Sequence, residues 1–171
     1  PLSYYQEKYG TWKYGLNKLY LLMEKQHNRG QDGAGAACIK LDLPPGHKYI
    51  NRVRSNSSTP IKDIFSQIFS PLNALRDSNS GRLNDVQWLK ENIDFTGELY
   101  LGHLRYGTYG RRSLSACHPL VRDHSWRNHT LLLAGNFNLT NTSALFEELV
   151  ASGHHDAVAV PQALVVGDDG G

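Results

Sequence analysis

The sequence predicts an α+β fold, and three observations carry that expectation. Leu16, Leu19, Tyr20 and Met23 recur at i, i+3, i+4 and i+7, the stripe of an amphipathic helix. Two runs, Glu98-Leu99-Tyr100-Leu101 and Thr130-Leu131-Leu132-Leu133-Ala134, read instead as strands bounded by glycine. These elements are grouped, strands with helices between, within 171 residues. That length suffices for one domain with a core of its own, or for part of a larger one.

Taken in order, the first helix ends at Asn28 and Gly30. Gly33 to Leu41 follows as a strand of small residues, which suits close packing against a neighbour. Pro44-Pro45-Gly46 turns the chain. Thr59-Pro60 opens a second helix through Ile61, Ile64, Phe65, Ile68 and Phe69, with proline at its first position. Asp77 to Gly81 is a polar loop, and Asn84 reads as the N-cap of a short helix carrying Val86, Trp88 and Leu89. The strand before Gly102 comes next. The run at 130–134 is continuous enough to predict a strand buried on both faces. Asn141 then caps a helix with Leu145, Phe146 and Leu149 turned inward, closed by Gly153. The segments 156–160 and 163–166 are short strand-like pieces.

Composition narrows the function. Hydrophobic residues make 40% and charged residues 20%, the proportions of a globular protein. Eighteen Lys and Arg against sixteen Asp and Glu leave a net charge of +2, which argues for neither nucleic acid nor a membrane surface as partner. Arg52, Arg54 and the pair Arg111-Arg112 read as solvated faces. No apolar run spans a bilayer and no signal peptide is visible, so the expected location is cytoplasmic. Cys38 and Cys117 are too few and too far apart for a disulfide framework or a zinc site, and read as core thiols. His154-His155 lacks the carboxylate or thiolate support of a metal site.

Chemistry concentrates in Gly102-His103-Leu104-Arg105-Tyr106-Gly107-Thr108. Arg105 ends an apolar strand, where a lone cation is costly unless an anion meets it. Its planar fork matches a carboxylate or a phosphate. Two readings stay open: an anion clamp, or an Arg paired to a structural Asp or Glu. His103 reads as a core histidine. His118 follows Cys117, but neighbours in an extended segment point opposite ways, which disfavours a dyad.

Two further segments stand with this one: His27-Asn28-Arg29-Gly30-Gln31-Asp32-Gly33-Ala34-Gly35 and Asn136-Phe137-Asn138-Leu139-Thr140-Asn141. In this order the three resemble the glutaminase domain of class II glutamine amidotransferases, N-terminal-nucleophile hydrolases. Gln31-Asp32 after Arg29-Gly30 resembles the amidophosphoribosyltransferase branch in particular. The resemblance runs from about Leu16 onward. It implies a four-layer αββα sandwich, incomplete at both ends, with residues 1–171 as a partial glutaminase domain.

The implied chemistry is attack of an N-terminal Cys on the glutamine carboxamide, through a thioester, with release of ammonia. The Asn136 side-chain amide and the Phe137 backbone N–H are the implied oxyanion donors. Arg105 takes the glutamine α-carboxylate, Tyr106 and Thr108 line the pocket, and Asp156 holds the α-ammonium. Ammonia would pass to a phosphoribosyl-diphosphate-dependent synthase domain of purine nucleotide synthesis, absent from this chain. No cofactor is implied here, and magnesium only in that synthase domain. The full-length enzyme is expected to be a homo-oligomer.

This sequence departs from the family's pattern at several points. Asn28 is inserted before Arg29, Gly33 stands in place of a Ser, and Phe137 in place of a Gly. Asp156 lies a few residues closer to Asn136 than the pattern has its acid. Neither Cys fits the nucleophile, which is expected upstream of Pro1. Three alternatives remain: a non-catalytic relative that binds glutamine or a partner, or the glutaminase of an amino-sugar-forming or an asparagine-forming enzyme.

Overall fold

A computed structural model describes residues 1–78, 81–107, 113–136 and 141–153. Helices α1 (Leu2–Tyr9) and α2 (Tyr14–Gln26) come first, and one 3-10 turn, His27–Arg29, leads to Gly30. Strands β1 (Gly33–Ile39) and β2 (Ile50–Ser55) follow, then α3 (Pro60–Asp77) and α4 (Val86–Asn92). Strand β3 (Leu99–Arg105), the short strands β4 (Leu120–Arg122) and β5 (Leu131–Leu133), and α5 (Thr142–Ala151) complete the order. The mixture agrees with the α+β expectation.

Strand β1 is the centre. It pairs antiparallel with β2 on one side and β3 on the other, giving the order β2-β1-β3. Because side chains alternate along a strand, each face can be read from the register. Ala34, Ala36 and Cys38 pack with Leu16 and Met23 of α2, Ile61, Ile64, Phe65 and Ile68 of α3, and Phe95. Val53, Tyr100 and Leu104 pack against the same cluster. Small residues in the central strand let two helices approach closely. Their stripe at helical spacing, legible in the sequence, is what α2 and α3 bury.

The other face carries Gly33 and Gly35, opposite Arg105 and His103 of β3. Gly35 is required there. A Cβ added to it would collide with the His118 carbonyl, and one added to Gly33 would meet Cys117 Sγ. Residues 113–119 therefore lie directly on this face and lead into the second sheet, β4 paired with β5. The structure thus has helices on one side of β1 and a second strand pair reached from the other.

Several local expectations need correction. Asp85, not Asn84, caps α4, accepting the Trp88 N–H at 2.9 Å. Helix α3 extends to Asp77 through Pro71, eight residues past Phe69. β5 is not buried on both faces: Leu131 is 53% exposed, because β4 is its one strand partner among the described residues. Leu145, Phe146 and Leu149 of α5 are likewise exposed. Helix α1 and strands β2 and β4 were not anticipated. Residues 79–80 of the polar loop and the pieces at 156–160 and 163–166 lie outside the described residues.

Candidate functional site

The outer face of the sheet gathers the chemistry-bearing residues. Arg105 closes β3 and is 8% exposed. Its backbone carbonyl accepts the Asp32 N–H at 3.1 Å, which ties the end of β3 to the loop before β1. The Asp32 carboxylate in turn accepts the Gly107 N–H at 2.8 Å. A Cβ at Gly107 would stand 3.2 Å from Asp32 Oδ2 and 3.3 Å from Arg105 Nη1. The carboxylate and the guanidinium therefore share one small space around Gly107, which admits no side chain there without displacement. Asp32 and Arg105 thus flank the same glycine, and the first two motifs meet in space.

Next along β3 on the same face is His103. Its ring centroid lies 4.7 Å from that of His118, tilted by 36°. His103 Nδ1 is buried with no hydrogen-bond partner among the described residues, so this is not the satisfied core histidine the sequence suggested. His118 Nδ1 accepts the Gly135 N–H at 3.0 Å. Gly135 adjoins Asn136, so the third motif is joined to β3 through two imidazoles. Burial is the largest influence on both rings and holds both below the ordinary histidine value. The His118 and Arg105 charges add to this at His103, Arg54 and Arg105 add to it at His118, and the Gly135 backbone acts the other way on both rings.

Arg54 is not the solvated charge that composition suggested. From β2 it donates through Nη1 to the Cys117 carbonyl at 2.9 Å and to Ser115 at 3.3 Å, fixing the segment that covers Gly33 and Gly35. Burial and the nearby Arg52 lower its pKa, while Cys117 acts the other way, and the guanidinium stays charged. Cys117 and Cys38 are both buried free thiols. Burial pushes Cys38 up to about 12 and raises Cys117 as well, so neither supplies a thiolate nucleophile near neutral pH. Cys117 faces Ser55 and Ser113 carbonyls while His118 faces Gly135, so the two do not form a dyad.

Of the residues singled out from sequence, the structure brings Arg105 and Asp32 together and links Asn136, through Gly135, to the same face. Tyr106 follows Arg105 and is 64% exposed. Asn136 is also exposed. Thr108, Phe137 and Asp156 lie outside the described residues. A cleft of about 400 Å³ opens beside the same loop, lined by Gln31, Asp32, Ser57, Ser58, Thr59 and Lys62 among others, at the start of α3. The larger hollow, about 620 Å³, lies between the Pro45–Ile50 loop and Asp123–Arg127, and no sequence-predicted site residue lines it. Among the described residues, no group of three or more His, Cys, Asp or Glu could hold a metal ion. Among them, too, no helix is long and apolar enough to cross a membrane. Sequence reasoning missed the tie from His118 to Gly135. Its only sequence signal was a histidine beside a short strand.

No protein-family model matches the chain. It is 32% identical, over 92 residues, to an amidophosphoribosyltransferase of Methanocaldococcus jannaschii. The match covers 51% of this chain and 19% of that protein. The chain thus matches about a fifth of the length of this relative, a likeness that suggests the family.

Proposed function

We propose that the chain is part of the glutaminase domain of an amidophosphoribosyltransferase-type enzyme acting in the cytoplasm. What supports the reading is that residues of the first two motifs meet and that Gly135, which precedes the third motif, is tied to the same face of the sheet. Asp32 meets Arg105 around Gly107, and the Gly135–Asn136 turn reaches β3 through His118 and His103. The archaeal relative carries the name of the same enzyme.

On this reading Arg105 takes the α-carboxylate of glutamine in a two-pronged fork, the geometry for which a guanidinium suits better than an ammonium. Asp32, at the same glycine, helps hold that fork in place. Tyr106 and Thr108 line the site and Asp156 receives the substrate ammonium. The attacking thiol belongs to an N-terminal Cys of the mature enzyme. The Asn136 amide and the Phe137 N–H donate to the oxygen that becomes negative in the tetrahedral intermediate. The thioester that follows is hydrolysed to glutamate. The ammonia released first serves a synthase domain that uses phosphoribosyl diphosphate and magnesium, in a full-length homo-oligomer.

The test uses the full-length protein. It should release glutamate from glutamine. Arg105→Lys should raise KM for glutamine and leave phosphoribosylamine formation from free ammonia largely intact. Asn136→Ala should lower kcat about 10²–10³-fold, the loss expected for one oxyanion donor. Asn136→Asp, which sets a negative charge against a developing one, should be at least as damaging. Unchanged glutamine use in Arg105→Lys would remove the clamp assignment, and near-normal kcat in Asn136→Ala would remove the donor assignment.

A further inference from the structure

His118 has no role in the reaction as described so far, yet its position is specific. The backbone around it is anchored: Arg54 holds the Cys117 and Ser115 carbonyls, and the His118 carbonyl lies where Gly35 leaves room. From this fixed point the ring stacks near His103 and accepts the Gly135 N–H at 3.0 Å. Two residues after His118 the chain enters β4, which pairs with β5 through Leu120 and Leu133. One short segment therefore grips β5 by its ladder and Gly135 by a side chain. Between them the backbone is held up to the residue before Asn136.

We propose that His118 is a positioning residue for glutamine hydrolysis, accepting the Gly135 N–H and so fixing the backbone from which Asn136 projects. The inference rests on the reading of the chain as a glutaminase. It requires the neutral ring, with the hydrogen on Nε2 and the Nδ1 lone pair toward Gly135. Burial favours that form, as do Arg54 from β2 and Arg105 from β3, and outweighs the Gly135 backbone, which acts the other way. Donors that meet a developing oxyanion draw their value from being placed in advance. A residue one step away that fixes their backbone should act on kcat more than on substrate binding.

The experiment compares wild type, His118→Asn and His118→Leu in the full-length protein. Asn sets an amide oxygen near the place of Nδ1 and keeps an acceptor. Leu fills the volume without one. Glutamate release gives kcat and KM, hydrogen exchange reports the Gly135 amide, and the melting temperature reports the fold. In His118→Leu, kcat should fall by about 10²-fold, the scale expected when catalytic groups are slightly misplaced. KM should change little, and Gly135 should exchange faster. His118→Asn should recover most of both. An active wild type with an indifferent His118→Leu overturns the proposal alone. Equal loss in both variants, together with a lowered melting temperature, also overturns it, because His118 would then be packing only. A wild type that releases no glutamate overturns the glutaminase reading, and this proposal with it.

Discussion

Lys40 is 3% exposed, yet its ammonium is well met. Nζ donates to the Lys90 carbonyl at 2.8 Å and to the Ile93 carbonyl at 2.7 Å, at the C-terminal end of α4. Those carbonyls have no intrahelical donor, and the helix dipole favours a cation there. Burial lowers the Lys40 pKa, with Asp94 and Cys38 acting the other way. Beside it, Lys90 and Glu98 form an ion pair at 2.6 Å that is also largely buried. Lys40→Met keeps the stem but removes the ammonium from the Lys90 carbonyl and leaves the Ile93 carbonyl to the Thr96 hydroxyl, so stability should fall by about 1–3 kcal/mol. Lys48 offers the contrast. Its pair with Asp94, at 3.4 Å, is well exposed on both sides, and Lys48→Ala should cost no more than about 1 kcal/mol. Urea midpoints of the two variants decide the point, and equal losses would contradict it.

At the scale of elements, β1 shows what a sequence can and cannot disclose. Its small residues announced close packing, and the helices α2 and α3 that press on Ala34, Ala36 and Cys38 were legible from their apolar spacing. Strand β2 was not, because Arg52 and Arg54 break the apolar pattern; only the fold shows Arg54 spending its charge on carbonyls of a distant segment. Arg105 was legible as a strand-end cation and Asp32 as part of a motif. Their meeting at Gly107 depends on the β1–β3 register, which no local pattern contains. The tie from His118 to Gly135 was hidden for the same reason, since seventeen residues separate the partners. The apolar residues of β5 and α5 gave a periodicity without saying what meets it. Gly35→Ala tests the central strand directly. Its new methyl must displace the His118 carbonyl, so the fold should lose about 1–3 kcal/mol, as overpacking does. A melting temperature equal to wild type would show that residues 113–119 do not rest on β1 as described.

Across the whole molecule, the outer face of the sheet makes stability depend on pH. His103 and His118 face one another there, with Arg105 and Arg54 close by, and burial leads the causes that hold both imidazoles below the ordinary value. That ordinary value, about 6.5, is what each regains in the unfolded chain. Between the lowered folded values and about 6.5 the unfolded chain therefore binds more protons than the fold, and stability rises with pH across that window. The contribution is complete above about 6.5 and is lost as pH falls through the window. Acid also removes a bond, because a protonated Nδ1 cannot accept the Gly135 N–H. Urea denaturation from neutral pH down through this range should show the midpoint falling, with proton uptake on unfolding. His118→Asn removes one titrating group but keeps an acceptor, so its midpoint should fall less steeply than that of wild type. His103→Gln should flatten the curve as well, and the pair of changes more than either alone. A midpoint that holds steady or rises on acidification would mean that these two rings are solvated in the fold, and that the contact between them does not shape its stability.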